Sequence, residues 1–543
     1  MNGTKTHRRR GSLSALALSL SLFAGLPRAG AAIEVNSDKD VLKVDSLCTL
    51  REAVQSAFDV YIGGKKSYPE CKGGQDDVIT FASAYTIELD PNLGQIPLNS
   101  NLTIQGPPSK VTVSGVGKTR IFTTNSLVLV QLRNLKLTKG TVDGGGAAIL
   151  ILGGSALYDI ENCDFVDNDS TGGGAVDFHG DHLAIRMSTF IANTSQTFGG
   201  GLQAGGDIEI EDTLFDSNLA RQGGGGIACA SGGDLTILRS AIVANSAFGE
   251  KFNVAQGASG GGGIESGCHN DIQDTLFLSN TAHAKAEGDV ALAGGGGLYV
   301  TAEGSGRVYE SVFKTNSAGG GSDQGGSGGG IHARGGLTVD RCVFEQNSAK
   351  GGYGGGGILF RDSPSVVVNS LLHDNVSQKT LDPVGKPNDP WDGAGIAVLG
   401  DSLVSIVNST LYNDVGQSEL FFLGNSGAVL LKNSLVGGFQ SKSTCDGDLL
   451  LILAAGNKNA QTTSNATCQD VPLNLGGMNY QPFTFPQAIP GGYDLSFTSM
   501  LPAFNEAPLG KGDPFICQNP PVAGIDLLGK TRNSPCTLGA VEK

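Results

Sequence analysis

Residues 223–245 read GGGGIACASGGDLTILRSAIVAN, and this phrase recurs with small changes along the middle of the chain. Each copy contains a run of glycines followed by an aliphatic residue, a stretch of alternating apolar residues, and an aromatic or aliphatic residue three positions before an asparagine. The alternation has the two-residue period of a β-strand, and no copy sustains an apolar stripe of helical period. Internal repeats of about 20–50 residues are typical of stacked solenoids. The sequence therefore predicts an all-β fold, a single parallel β-helix.

The asparagines that end the repeated phrase mark successive coils. They are Asn168, Asn193, Asn218, Asn245, Asn280, Asn316, Asn347 and Asn375. We expect each strand to pair with its equivalents in the coils above and below, so that phenylalanines and aliphatic residues stack in a narrow core. The asparagines should then form a hydrogen-bonded ladder at one turn. The glycines suit a tight turn that needs positive φ or a close approach of two backbones.

The ordered alternation of the glycine motif and Phe-x-x-Asn resembles the repeats of bacterial polymorphic outer-membrane proteins, over about residues 140 to 440. Two further motifs flank it. CTLREAV at residues 48–54 is similar to the CSLREA motif that opens many secreted β-helix proteins, and DLLGKTR with CTLGAVE, between residues 526 and 542, resembles a choice-of-anchor Q tail. The resemblance implies right-handed coils, a pectin-lyase-like solenoid, and an adhesin-like protein outside the cytoplasm.

Residues 1–32 have the pattern of a secretory signal peptide: basic residues, an apolar run from Leu13 to Leu26, and small residues before a cleavage site. We expect a helical N-terminal cap over residues 33–77, because Thr49-x-x-Glu52 has the spacing of a capping box. The β-helix should cover residues 78–438, with glycine repeats from about residue 144. Residues 439–543 should form terminal coils and an irregular, disulfide-containing cap. The expected location is secreted or at the outer cell surface.

The formal net charge of −15 at pH 7 disfavours binding to nucleic acid or to anionic membranes. Beyond the signal peptide, no segment approaches the 18 or so apolar residues that a membrane-spanning helix needs. We therefore expect a monomer without a transmembrane segment, whose partner is a glycan or another cell-surface ligand. The sequence requires no cofactor, and its scattered aspartate-containing loops are compatible with bound calcium.

Ten cysteines in a chain with a secretion signal predict disulfides. By their proximity along the chain or in successive coils, we expect the pairs Cys48–Cys71, Cys229–Cys268, Cys445–Cys468 and Cys517–Cys536. Cys163 and Cys342 occupy the same repeat position about six coils apart. At about 4.8 Å per coil they are separated by roughly 29 Å, which is far beyond the reach of a disulfide. They should therefore be free, buried thiols.

The spacers between the ladder asparagines and the following glycines vary from 3 to 17 residues. Insertions at one repeat position emerge on one edge of a solenoid, where loops on a rigid scaffold commonly carry function. The four longest spacers are residues 246–259, 281–293, 317–327 and 376–392. The last contains Trp391 between Asp389 and Asp392, and an exposed ring there would stack on a sugar. The alternative, a tryptophan that packs its own loop, stays open. His332 and Arg334, which follow a glycine cluster, are further candidate binding residues.

A second interpretation is an enzyme, a polysaccharide lyase or hydrolase of the pectate-lyase-like superfamily. Its candidate catalytic residues are His179, Asp181 and Arg186, which place a base, an acid and a cation within a short segment. A solvated turn explains these residues equally well. No serine-hydrolase, zinc-protease or nucleotide-binding motif occurs in a workable context. The binding protein is the leading hypothesis, because few titratable residues converge in the sequence.

Overall fold

The computed structural model describes residues 32–72, 77–125, 127–154, 156–230, 232–249, 259–283, 293–319, 325–378, 393–412, 414–416, 418–424, 427–437 and 443–447, and short pieces between 452 and 540. These residues form a parallel β-solenoid whose two longest sheets each contain 15 strands. Four sheets run along it, and each coil passes through sheet A, sheet B, the short strands of sheet D, a glycine turn and sheet C. The predicted all-β parallel solenoid is confirmed.

Sheets A and B are the two longest sheets, with 15 strands each. Sheet A contains Ile33–Val35, Asp77–Phe81, Leu102–Gln105, Leu129–Arg133, Leu157–Glu161, His182–Arg186, Asp207–Glu211, Asp234–Leu238, His269–Gln273, Ser305–Tyr309, Leu337–Asp340, Pro364–Val368, Leu403–Val407, Ala428–Lys432 and Ile452–Leu453. Sheet B contains Thr86–Glu88, Val111–Ser114, Leu135–Thr138, Asp164–Val166, Thr189–Ile191, Leu214–Asp216, Ala241–Val243, Leu276–Leu278, Val312–Lys314, Val343–Glu345, Leu371–His373, Thr410–Tyr412, Leu435–Gly437, Ala460–Thr462 and Leu473–Leu475.

Sheet C contains Ile96–Pro97, Phe122–Thr124, Ile149–Ile151, Val176–Phe178, Leu202–Ala204, Ile227–Cys229, Ile264–Ser266, Leu298–Val300, Ile331–Ala333, Ile358–Arg361, Gly393–Leu399, Ser418–Leu423 and Ser443–Gly447. Sheet D contains Thr141–Val142, Asp169–Ser170, Thr194–Ser195, Leu219–Ala220, Ser246–Ala247, Ser259–Gly260, Thr281–Ala282, Ala293–Gly294, Ser317–Ala318, Gly326–Ser327, Ser348–Gly354 and Val376–Gln378. A separate antiparallel pair is formed by Ala488–Ile489 and Gly492–Tyr493.

The predicted asparagine ladder runs through the interior of the solenoid. The amide of Asn193 is fully buried, and its Nδ2 donates to the Phe165 carbonyl and to Asn218 Oδ1, both at 2.9 Å. Its Oδ1 accepts from the backbone N–H and from Nδ2 of Asn168, at 3.1 and 2.9 Å. The same four contacts recur in the following coils, so every buried polar atom of these amides has a partner. The ladder ends at Asp414, whose Oδ1 accepts from Asn375.

Stacked aromatic rings fill the core beside the ladder. Phe165, Phe190 and Phe215 stack with ring centroids 4.4 and 4.5 Å apart. The rings of a second run stack at 4.3 and 4.8 Å, and they belong to Phe277, Phe313 and Phe344. Ile242 occupies the position between the two runs. Each ring is fully buried, so the core is a continuous apolar column that binds neighbouring coils to one another.

The N-terminal cap contains the helix Leu50–Tyr61, which packs against the first strands of the solenoid. Its predicted capping box is confirmed, because the Thr49 side chain accepts from the Glu52 backbone N–H and the Glu52 carboxylate accepts from that of Thr49. Arg51 points inward and forms a buried ion pair with Asp40, with Nε 2.7 Å from Oδ1. The only other helix in the described residues is Pro514–Gln518, and neither is long and apolar enough to cross a membrane.

Three of the expected disulfides are present in the structure. Their Cα atoms are 5.2, 5.9 and 4.8 Å apart, in Cys48–Cys71, Cys229–Cys268 and Cys445–Cys468. Cys517 is also disulfide-bonded, and its expected partner Cys536 lies outside the described residues. Cys163 and Cys342 are buried free thiols, as predicted. Burial raises the pKa of the Cys163 thiol to about 12.

The tail of the chain contacts the side of the solenoid where sheets A and B meet. Val522 packs against Val368 and Val407. Arg532 is 2% exposed, and its Nη2 donates to Asn369 Oδ1 at 3.1 Å. The backbone N–H of Ala540 donates to Thr410 Oγ1 at 3.1 Å. The described part of the tail therefore covers a lateral surface of the late coils.

Candidate functional site

The long insertions leave and rejoin the solenoid on one edge, between sheets D and C. The strands that precede three of them, Ser246–Ala247, Thr281–Ala282 and Ser317–Ala318, pair in register. The strands that follow the same three insertions also pair in register: Ser259–Gly260, Ala293–Gly294 and Gly326–Ser327. We call this the insertion edge. Residues 250–258, 284–292, 320–324 and 379–392 lie outside the described residues, and with them Asp389, Trp391 and Asp392.

The three coils that carry these insertions also carry an unusual set of side chains in sheet C. The residues that flank each central position are buried, and all of them except Ser266 belong to the hydrophobic core, whereas the central residue of each strand does not. The central residues are Glu265, Tyr299 and His332, which pair in register in adjacent strands. We call these three residues the outer column. Tyr299 is 3% exposed and His332 is fully buried, whereas Glu265 is partly exposed but has an Oε2 atom shielded from solvent.

Burial controls the protonation of the outer column. Burial of the carboxyl group raises the pKa of Glu265 to about 8, with a smaller opposing effect of a backbone hydrogen bond from Gly260. Burial lowers the pKa of His332 to about 3, helped by the charges of Arg361 and Arg334. At neutral pH the carboxyl group is therefore largely protonated and the imidazole is neutral. The column is then a row of uncharged hydrogen-bonding groups.

Several of these groups have no hydrogen-bond partner within the described part of the chain. They are Glu265 Oε2 and both ring nitrogens of His332. Buried polar atoms in folded proteins are almost always hydrogen-bonded, because an unmade bond costs about 1–3 kcal/mol. Buried polar atoms without a hydrogen-bond partner are typical of sites at which a bound ligand supplies that partner. The outer column is thus the strongest candidate functional site in the described residues.

Glycines of the preceding coil make room for the outward polar side chains of sheet C. A Cβ atom at Gly223 would lie 2.7 Å from Glu265 Cδ. The same relation holds for Gly173, where a Cβ would lie 2.7 Å from Gln203 Oε1. Each polar side chain therefore folds back over the glycine turn of the coil before it. The glycine clusters thus allow the tight turn and also leave space for the polar side chains on the outer surface of sheet C.

A second row of side chains follows the outer column at the end of the same strands. Ala333 pairs with Phe360, so the next residues, Arg334 and Arg361, lie side by side in adjacent coils. Arg361 Nε is 3.6 Å from Asp362 Oδ2, and both arginines are partly exposed. Further along, the outer surface of sheet C becomes apolar and forms a cluster of Leu359, Ala397, Leu399 and Phe421. The His332 end of the column therefore lies beside a cationic patch, and Glu265 is at the opposite end of the column.

The candidate catalytic residues of the sequence are placed on different faces of the solenoid. His179 Nε2 is 2.9 Å from Asp177 Oδ1, at the end of a sheet C strand, and this contact raises the pKa of His179. Arg186 is in sheet A, where Nη1 is 2.6 Å from Asp159 Oδ1. Asp181 is exposed in the connecting turn. Among the described contacts, none joins His179, Asp181 and Arg186 to one another.

The structure brings together His332 and Arg334, which the sequence identifies, with Glu265 and Tyr299, which it does not. The two missed residues occupy the central positions of IES and LYV, directly after glycine clusters. Their signal in the sequence is this shared position in the coils with long insertions. Among the described residues, no group of three or more His, Cys, Asp or Glu side chains is placed to hold a metal ion.

Comparison with known proteins provides no assignment for this site. No family model, no curated protein and no solved structure matches the chain. The function is therefore inferred from the insertion edge, the outer column and the arginines beside them.

Proposed function

We propose that the chain is a secreted or cell-surface binding protein, adhesin-like, that presents its insertion edge to a glycan or a similar surface ligand. The observation that carries this proposal is the in-register stacking of the ends of successive insertions on one edge of a rigid scaffold. Binding residues are often carried by loops that a rigid scaffold positions. A repeated insertion at one position in consecutive coils provides a broad surface suited to an extended polymer.

The chemistry of the neighbouring outer column suits a sugar. At neutral pH a protonated carboxyl, a phenol and a neutral imidazole can both donate and accept hydrogen bonds, as sugar hydroxyls do. Sites built to hydrogen-bond a ligand discriminate strongly against molecules that leave their buried polar groups unpaired. Glu265 Oε2 and the two ring nitrogens of His332 have no hydrogen-bond partner in the described chain, and this supports a ligand rich in hydroxyl groups.

We also infer that the coils are right-handed and belong to the class of solenoids with polymorphic outer-membrane repeats. The support is the ordered alternation of glycine clusters and Phe-x-x-Asn, together with CTLREAV at residues 48–54. Disulfides form and persist in oxidising compartments, so the three in the structure support a location outside the cytoplasm. The signal-peptide pattern of residues 1–32 supports the same location.

A binding assay on the purified chain and on a shortened variant tests the proposed function. The variant replaces residues 284–292 by a three-residue spacer and keeps the paired strands Thr281–Ala282 and Ala293–Gly294. We expect its melting temperature to stay close to that of the parent, because loop length changes stability by only about 0.6 kcal/mol per doubling. Binding to a panel of immobilised glycans should fall at least tenfold. The substitution Trp391→Ala tests the last insertion in the same assay.

Leu403→Ala, in the outer surface of sheet A, is the control for the shortened variant, since Leu403 is 59% exposed and remote in the coil from the insertion edge. It should bind as the parent does. If the shortened variant and Trp391→Ala both melt and bind like the parent, the recognition surface is elsewhere. If the parent binds no glycan at all, the proposed function is wrong.

The second candidate function is a polysaccharide lyase or hydrolase. The observation that favours it is the raised pKa of Glu265, because a general acid must be protonated near the operating pH. Purified chain incubated with acidic polysaccharides, with and without calcium, should then yield unsaturated uronides or reducing ends. Loss of that activity in Glu265→Gln would identify the acid. Absence of any product would leave the binding function as the remaining candidate.

A further inference from the structure

The surroundings of the outer column are cationic, although the chain as a whole carries a formal net charge of −15. Arg334 and Arg361 lie in adjacent coils at the end of the sheet C strands, and each is close enough to His332 to lower its pKa. The Arg334 guanidinium also partly offsets the burial that raises the pKa of the Tyr299 phenol. Two cations therefore flank the middle of the column, and both reach solvent.

The acidic member of the column does not cancel this charge. Burial keeps Glu265 largely protonated at neutral pH, so its carboxyl can donate a hydrogen bond rather than repel an anion. Asp362 pairs with Arg361 and offsets one of the two positive charges. The two guanidinium groups lie beside a buried imidazole whose two nitrogens have no hydrogen-bond partner in the described chain. This combination favours one negatively charged ligand group with several acceptor oxygens.

We propose that His332, Arg334 and Arg361 form an anion-binding subsite that takes the acidic group of a saccharide, a carboxylate or a sulfate ester. The inference rests on the proposed glycan-binding function and adds the chemical class of the glycan. In the subsite Arg334 and Arg361 donate charge-assisted hydrogen bonds from the solvent side. The imidazole of His332 donates from the buried side, and Glu265 and Tyr299 bind the hydroxyls of the same or the next sugar.

Three hexasaccharides distinguish the ligand groups in titration calorimetry with the full purified chain. They are a hexamer of glucuronic acid, a sulfated cellohexaose and unmodified cellohexaose. We expect at least one acidic hexamer to bind at least ten times more tightly than the neutral one. Arg334→Gln and His332→Leu should each reduce that preference at least fivefold. Arg307→Gln is the matched control, since Arg307 is a surface cation of sheet A that pairs with Asp271 at 2.8 Å.

The outcomes separate this inference from the proposed function. If all three hexamers bind with equal affinity, the chain binds glycans but the anion subsite is wrong. If the acidic preference survives Arg334→Gln and Arg361→Gln, or is lost equally in Arg307→Gln, the subsite is not at the outer column. If no hexamer binds and the glycan panel is also negative, both proposals fail. Since His332→Leu replaces a fully buried side chain, Arg334→Gln, at a partly exposed position, keeps the test valid if the former misfolds.

Discussion

At the scale of single residues, the coils from Asn134 to Asn433 share a backbone position with positive φ, and a residue other than glycine occupies it in every coil. The position lies between the sheet A and sheet B strands, with φ of 47° to 54° in Asn134, Asn162, Met187, Asp212, Arg239, Asp274, Glu310, Arg341, Asn369, Asn408 and Asn433. This conformation costs most residues about 1–2 kcal/mol, and asparagine is among those that tolerate it best. A hydrogen bond between coils further stabilises Asn162 in this conformation, because its Nδ2 donates to Asn134 Oδ1 at 2.8 Å.

Met187→Asn should therefore stabilise the protein by about 1 kcal/mol. Met187 has φ of 48° and is 51% exposed, so no core packing is lost. The new asparagine relieves the left-handed strain and lies in the coil after Asn162, where it extends a short side-chain ladder. Urea unfolding of parent and variant measures the change. Met187→Ala is the control, since it removes the exposed side chain but keeps the strain, and an equal gain there would contradict the explanation.

The pKa of Glu265 has a consequence for stability. Its folded-state pKa of about 8 exceeds the ordinary value of 4.5, so the group stabilises the fold fully below about pH 4.5. That contribution is lost as the pH rises through 8. Relative to Glu265→Gln, the parent should lose at least about 1 kcal/mol of unfolding free energy between pH 5 and 9, since one pKa unit corresponds to about 1.36 kcal/mol.

Unfolding of both proteins at a series of pH values measures this difference. Glu209→Gln, a change in the outer surface of sheet A, is the control and should follow the parent. If Glu265→Gln also follows the parent over the whole range, the carboxyl of Glu265 is not held in its protonated form by the fold.

At the scale of the structural element, the glycine turn depends on its lack of side chains. A Cβ atom at Gly297 would lie 2.8 Å from the Gly330 carbonyl oxygen and 2.9 Å from Phe313 Cδ1. The first neighbour is backbone of the next coil and the second is part of the ring stack, so neither can move without disturbing its own coil. The turn is therefore compatible with only one residue type at this position.

Gly297→Ala should destabilise the protein by at least about 2 kcal/mol, because the added methyl group forces apart backbone and ring atoms. Gly205→Ala is the matched control, since a Cβ there meets no atom within 4 Å. It should be neutral or slightly stabilising, because alanine restricts the unfolded chain more than glycine does. Thermal melts of the two variants give the comparison. Equal melting temperatures would show that the turn can relax around a side chain.

The sequence predicts the features of the coil that repeat, and it misses those that depend on neighbouring coils. Asn193 and Phe190 recur at a fixed spacing, so their ladders follow from the parallel stacking of equivalent residues. Glu265 and Tyr299 occupy the same repeat position as His332 but differ from it in side-chain type, and only the register between coils brings the three next to one another. Their burial depends on neighbours distant in sequence, which a local pattern does not contain. For the same reason, the pairing of Arg51 with Asp40 is not predicted.

At the scale of the whole molecule, stacking along one axis determines the shape. Sheets A and B each contain 15 strands, and 14 spacings of about 4.8 Å give a stack roughly 67 Å long. Small-angle scattering should show an elongated particle, and circular dichroism should be dominated by β structure. A compact scattering profile or a strongly helical spectrum would contradict this description of the chain.

The asparagine ladder also makes the solenoid electrically polar. Each amide directs Oδ1 toward the preceding coil and one N–H of Nδ2 toward the following one, so the amide dipoles align along the axis with their positive ends toward the C-terminus. The last acceptor at that end is the carboxyl of Asp414, the group that an array of aligned donors attracts, although burial raises its pKa to about 6. A cut between the coils of Asn168 and Asn193 would leave the Asn168 amide without its Oδ1 acceptor on one face and the Asn193 Oδ1 without its Nδ2 donor on the other. If two such stacks joined end to end, the ladder would continue across the junction only in the head-to-tail orientation.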